Sequence, residues 1–189
     1  MKGRYILFLA PVLAAPAQAD DYADPMPHYV RAGGGFACVT EKADFDRGQA
    51  ERRDMCLHIG PLFVGMPRKD AENALGQPID SMDAGARKAF AYLLQRDGPG
   101  NMISYAVIMY DDDNRATSVQ ITGRPWPGSW QFCGLTLGSS QAAAAARLGA
   151  PLQTGNSDQA GTTVWDYSPW TFSFEIKDGV VSSIRLAAP

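Results

Sequence analysis

The chain carries the same local punctuation twice. Gly65-Met66-Pro67, a run holding Ala71, Ala74 and Leu75, and Gly76-Gln77-Pro78 return as Gly138-Ser139-Ser140, a run holding Ala144, Ala145 and Leu148, and Gly149-Ala150-Pro151. The spacing from the first glycine to the leucine, the second glycine and the proline is the same in both copies. Each landmark has a mechanical meaning. Pro67 suits a first helical turn, and Ser139 can cap a second helix by accepting a backbone N–H. Gly76 and Gly149 permit the left-handed residue that stops a helix, and Pro78 and Pro151 prevent its resumption. The intervening alanines and leucine share one face, small and apolar, suited to lying close on a sheet.

The segments C-terminal to the two predicted helices also correspond. Tyr105 to Tyr110, a polar Asp111-Asp112-Asp113-Asn114, and Ala116 to Ile121 read as strand, turn, strand. Phe172 to Ile176, Lys177-Asp178-Gly179 and Val180 to Leu186 read the same way, with Asp178-Gly179 a favoured hairpin turn. Earlier strands are expected at Ala89–Leu94 and Thr163–Tyr167. The predicted fold class is therefore α+β: two tandem units, each a helix followed by an antiparallel meander of about three strands, side by side and forming one sheet layer with the short helices on one side. The expected division is a leader and loop over 20–55, repeat 1 over 56–122, a Pro/Gly linker over 123–131 and repeat 2 over 132–189. Residues 20–35, ending in Gly33-Gly34-Gly35, read as a loose leader.

Residues 1–19 read as a signal peptide. Lys2 and Arg4 precede an apolar stretch from Tyr5 to Ala15, and Ala17-Gln18-Ala19 is a small-x-small cleavage pattern. Pro11 and Pro16 interrupt the stretch, which is too short for a bilayer span of roughly twenty residues. Without 1–19 the chain has 15 basic and 20 acidic residues, a net of −5. A mildly acidic chain with no basic run is a poor nucleic-acid ligand, because phosphate contacts dominate that affinity. At 46% hydrophobic and 20% charged residues, it can build an ordinary globular core. The expected location is periplasmic or secreted.

Cys38, Cys56 and Cys133 make an odd set, which in an oxidising compartment means one bridge and one thiol. Cys38–Cys56 closes the shorter loop and is the preferred pair; Cys56–Cys133 competes, since each lies upstream of a predicted helix.

The ordered pattern of Gly-[Met/Ser]-[Pro/Ser], a short helix ending Leu-Gly-x-Pro, aromatic strands and a final Asp-Gly hairpin resembles the SmpA/OmlA lipoprotein domain of the outer-membrane assembly machine. Two such units in tandem, over about 56–189, resemble the beta-lactamase inhibitor protein architecture. The resemblance implies a non-enzymatic protein-binding module, either an inhibitor of a secreted enzyme or an envelope scaffold. The chain departs from the pattern in two ways: no cysteine follows Ala19 to accept a lipid, and the cysteines do not fall one pair per repeat.

The residues offer little for catalysis. Cys56 and His58 would share a strand face, as a metal pair or a thiol dyad, but two ligands do not make a site, and a disulfide cysteine beside an ordinary histidine accounts for them. The Asp111–Asn114 cluster lacks the spacing and closing Glu of a calcium loop and reads as a turn. No cofactor and no metal site is expected. The aromatics carry more. Trp165 and Tyr167 share one strand face, and Phe172, Phe174 and Ile176 share a face of the next. Strand 102–110 is apolar on both sides: Ile103, Tyr105, Val107 and Met109 on one, Met102, Ala106, Ile108 and Tyr110 on the other. A helix covers one sheet face only, so the second face either packs against the other unit or stays open as a binding surface. The candidate partner-binding residues are Tyr105, Tyr110, Trp126, Trp130, Trp165, Tyr167 and Trp170, the expected partner being another exported or envelope protein. A small-ligand or lipid carrier using the same face is the alternative.

Overall fold

A computed structural model describes residues 27–40, 53–84, 87–98 and 101–189. The expected signal peptide, 1–19, and the leader up to residue 26 lie outside the described residues.

The chain is predominantly β. Eight strands form one antiparallel sheet in the order β5 (Asp80–Ala84), β6 (Arg87–Arg96), β7 (Met102–Tyr110), β8 (Ala116–Gly123), β12 (Val180–Ala187), β11 (Phe172–Lys177), β10 (Thr162–Asp166) and β9 (Gln153–Asn156). Two hairpins stand outside it: β1 (His28–Ala32) with β2 (Gly35–Val39), and β3 (His58–Ile59) with β4 (Leu62–Phe63). The α-helices among the described residues are two, each of eight residues: α1 (Arg68–Leu75) and α2 (Gln141–Leu148).

This corrects the expectation of two tandem helix-plus-sheet units. β8 and β12 would each be an open edge if the meanders stood apart, and an open edge leaves a row of backbone donors and acceptors unpaired. Instead they pair with each other, Ile121 opposite Ile184 and Val119 opposite Leu186, and the result is a single continuous sheet. Each meander also has four strands rather than three. β5 and β9 are built mainly from Asp, Ser, Gln, Gly and Asn, residues poorly suited to strands, and are held by pairing with β6 and β10 rather than by propensity.

The helices begin and end inside the glycine-bounded segments. Pro67 precedes α1 in extended conformation. The cap of α2 is Ser140, not Ser139: its Oγ accepts from the Ala143 amide at 3.0 Å. Gly76 and Gly149 close the helices at φ 83° and 77°. Ala71, Ala144 and Leu148 are buried, whereas Ala74 is exposed.

Both helices pack on one face of the sheet. That face presents Tyr92, Ala106, Ile108, Tyr110, Val119, Ile121, Phe172, Phe174, Ile184 and Leu186, all buried. The expected loose leader also lies here, and is corrected: Gly33 and Gly34, at φ 55° and 83°, form the two-residue turn of the β1–β2 hairpin. The hairpin inserts Tyr29 and Phe36 into an aromatic cluster around Phe172, with ring centroids at 5.4 and 5.2 Å, and Phe132 joins at 5.0 Å. Three further ties hold it. Arg31 donates to the Leu148 carbonyl at 2.7 Å, placing a cation at the negative end of α2. The Trp170 indole donates to the Phe36 carbonyl at 2.9 Å, with its ring so close over Gly35 that a Cβ there would clash with it. Cys38 is bonded to Cys56, the preferred pairing, and Cys133 is a buried free thiol.

Phe172 joins hairpin, turn and sheet, so Phe172→Ala should cost about 3–5 kcal/mol, read as a lowered urea midpoint with secondary structure retained below it.

Candidate functional site

The opposite face of the sheet carries no helix among the described residues. β7 shows the division. Ser104, Ala106, Ile108 and Tyr110 are buried against the helix side, and Ile103, Tyr105, Val107 and Met109 are half-buried on the other. Cross-strand pairing extends this open face. Leu93, Ala91 and Ala89 of β6 lie opposite Tyr105, Val107 and Met109, and Met82 of β5, 62% exposed, lies opposite Ala89. The band over β5–β7 is apolar. The continuation over β8, β12 and β11 is polar, with Gln120 opposite Arg185, Thr122 opposite Ser183, and Ser183 opposite Glu175.

Within the polar strip lies a shallow cleft of about 100 Å³, lined by Gln120, Val164, Ser173, Glu175, Ser183 and Arg185 together with part of Phe174. Neutral groups hold its lining. Gln120 Nε2 donates to Ser183 Oγ at 2.9 Å, and the Thr122 and Ser183 hydroxyls are 3.0 Å apart. Arg185 Nε donates to Ser118 Oγ at 3.2 Å, and Ser157 Oγ donates to Glu175 at 2.8 Å. Arg185 and Glu175 are diagonal neighbours on adjacent strands, each hydrogen-bonded to a serine.

Of the seven predicted partner-binding residues, only Tyr105 lies on this open face. Tyr110, Trp165 and Tyr167 are core residues, 1%, 7% and 0% exposed, and cannot dock a partner without unfolding. Their strands point them toward the helices: Tyr110 meets Tyr92 hydroxyl to hydroxyl at 3.3 Å, Trp165 faces Phe174 across β10–β11, and the Tyr167 hydroxyl donates to the Gly149 carbonyl at 2.9 Å. Burial pushes the Tyr110 phenol up, and pushes Tyr167 up from 10.0 to about 12 against the opposing pull of Arg31. Trp126, Trp130 and Trp170 are half-buried. Trp126 and Trp130 meet edge to face at 5.9 Å, and Trp130 lies on the Gly60 backbone, so they anchor the linker to the β3–β4 turn. Trp170 fastens the β1–β2 hairpin.

The polar cleft escaped sequence reading. Its signal was present: Ser118, Gln120 and Thr122 alternate with apolar Val119 and Ile121 on β8, and Ser183 and Arg185 alternate with Ile184 and Leu186 on β12.

Other candidate chemistry resolves plainly. Cys56 is bonded to Cys38 and so serves neither as nucleophile nor as metal ligand with His58. His58 Nε2 lies 2.7 Å from the Pro27 carbonyl, which can only accept, so that nitrogen carries a proton. Asp111 closes the β7–β8 turn, its carboxylate accepting from the Asp113 and Arg115 amides at 3.0 and 2.8 Å. Among the described residues no group of three or more His, Cys, Asp or Glu is placed to hold a metal, and no helix is long and apolar enough to cross a membrane.

No family model and no curated protein matches the chain. Among solved structures, a DUF4309 family protein of Bacillus subtilis is similar over 78% of this chain and 92% of that one, at 14% identity and a TM-score of 0.47.

The two sheet faces should respond oppositely to charge. Val107→Lys should change stability by about 1 kcal/mol or less, whereas Ile108→Lys, one residue along, should cost more than about 4 kcal/mol by burying an unpaired ammonium; thermal melting of the two variants checks this. Stability should also fall at alkaline pH. The fold holds the Tyr167 proton, and the Cys133 proton raised from 9.0 to about 12, more tightly than the unfolded chain does. Their contribution is complete below the ordinary values and is lost as pH climbs toward 12. Urea midpoints measured across that range should drop steadily.

Proposed function

We propose that this protein is an exported, non-enzymatic binding module that docks another exported or envelope protein on its open sheet face. The observation that carries the reading is the two-sided apolar character of β7, whose second face stays half-exposed and carries no helix among the described residues. A row of Tyr105, Val107, Met109 and Leu93 beside Gln120, Arg185 and Glu175 combines an apolar centre with an aromatic and a polar margin, the composition of a protein interface. Export is supported by the Cys38–Cys56 disulfide, a bond that persists in oxidising compartments, together with the signal-peptide pattern of residues 1–19. An envelope scaffold and an inhibitor of a secreted enzyme are the two forms this role would take. Inhibition would be steric: the face covers the target, and Tyr105, the one aromatic of the seven candidates on that face, supplies a leading share of the affinity.

A carrier of small ligands or lipids would use the same face. The cavities beside Cys133 and on the polar strip, about 20 and 100 Å³, are well below the roughly 300–1,000 Å³ of small-molecule pockets. That difference favours docking of a macromolecule.

Crosslinking capture from the native envelope and medium tests the proposal, with wild type compared against Tyr105→Ala/Val107→Lys. One protein should be captured by wild type and reduced at least about tenfold with the variant, whose melting temperature stays close to wild type. Capture that survives in the folded variant sinks the reading.

A further inference from the structure

The buried thiol of Cys133 does not stand alone. A small cavity of about 20 Å³, with room for about one water, is lined by Cys56 and Cys133 together, with His28, His58 and Phe132 among its walls. Cys133 sits in the short turn between Phe132 and Leu135 with its backbone at φ 51°, and a backbone hydrogen bond reaches its sulfur from Tyr29. Tyr29 is the register partner of Cys38 on the β1–β2 hairpin. Cys56 and Cys133 thus wall one small cavity, and Cys133 is hydrogen-bonded to the register partner of Cys38, although Cys133 is 77 residues from Cys56 in sequence.

We propose that Cys56 is shared between two alternative disulfides, Cys38–Cys56 and Cys56–Cys133, that interconvert by thiol–disulfide exchange within the molecule. The Cys133 thiol gives up its proton, and the thiolate attacks the Cys56 sulfur. The Cys56–Cys133 bond forms as the Cys38–Cys56 bond breaks, and Cys38 leaves as a thiolate and takes up a proton. One bond replaces another, so no oxidant or reductant is consumed. The attack falls on Cys56 because that residue shares the cavity with Cys133. Exchange would release the hairpin from its covalent tie and fasten the Arg53–Cys56 turn to the Phe132–Leu135 turn instead. The hairpin would keep its aromatic contacts, the Arg31 bond to α2 and the Trp170 bond.

Burial raises the Cys133 thiol to about 12, so near neutral pH it is held protonated and the Cys38–Cys56 bridge persists. Arg147, which donates to the Cys133 carbonyl at 3.1 Å, and the two histidines of the cavity wall are the charged or titratable neighbours. Exchange therefore waits for alkaline pH or for local opening of the turn.

Two arms test this. The Cys38→Ser protein, air-oxidised and digested after alkylation in denaturant, should yield a Cys56–Cys133 linked peptide and no alkylated cysteine. A folded Cys38→Ser protein with both thiols alkylated overturns the proposal. If that variant fails to fold, the second arm decides. Dilute wild-type protein is held at mildly alkaline pH without added thiol, then quenched with acid and mapped. Linked peptides for both Cys38–Cys56 and Cys56–Cys133 are expected, and Cys133→Ser should show the first alone. Wild type that retains only Cys38–Cys56, or that forms Cys38–Cys133 instead, overturns it.

Discussion

The pairing of β8 with β12 is the contact on which the rest of the molecule depends. Five residue pairs, from Ser118 with Ala187 to Thr122 with Ser183, join the ends of two meanders into one sheet. Their register decides both faces at once. On the helix side it sets Val119, Ile121, Ile184 and Leu186 together, each 0% exposed, at the centre of the core. On the open side it sets Gln120 against Arg185 and Thr122 against Ser183, which forms the floor of the polar cleft. A slip of one residue would exchange the two sets, burying Arg185 and exposing Ile184. Core and candidate site are thus two faces of one register, and the strength of the first specifies the geometry of the second.

A sheet of eight strands spaced about 4.8 Å apart is roughly 34 Å wide, and helices of eight residues are only about 12 Å long. Two such helices cannot cover even one face. The β1–β2 hairpin supplies the missing cover beside α2, with Tyr29 and Phe36 filling the space over Phe172. A hairpin of two strands is marginal by itself, which accounts for its several fastenings: the disulfide, Arg31 at the α2 carboxyl end, and Trp170 over Gly35. No equivalent cover lies over the other face among the described residues, and the apolar band of β6 and β7 remains available there.

Tyr105 and Tyr110 show why aromatic content alone does not tell an open face from a core face. Both lie on β7, five residues apart, yet one faces the open side and the other is 1% exposed on the helix side. On a strand with one polar face, parity would have distinguished them. β7 is apolar on both faces, so alternation carried no mark of inside and outside. Trp126, Trp130 and Trp170 are half-buried and lie away from the open face. They sit in loops beside prolines, where exposure is the usual expectation, but each ring is spent on holding a neighbouring turn or hairpin.

The sequence by itself determined what depends on a few neighbouring residues. Gly76 and Gly149 stop helices because their backbones take positive φ, the Asp111–Asn114 and Asp178-Gly179 turns reverse the chain, and the apolar runs of β6 and β7 and the alternating runs of β8, β11 and β12 form strands. The short Cys38–Cys56 loop also made that bridge legible. Only the tertiary structure decided which strand edges meet, which polar segments are drafted as β5 and β9, and which face of β7 the helices and hairpin cover. Those outcomes rest on contacts between residues as distant as Ser118 and Ala187, or Phe36 and Trp170. Local propensity contains no term for such contacts, because their free energy exists only once both partners are already in place.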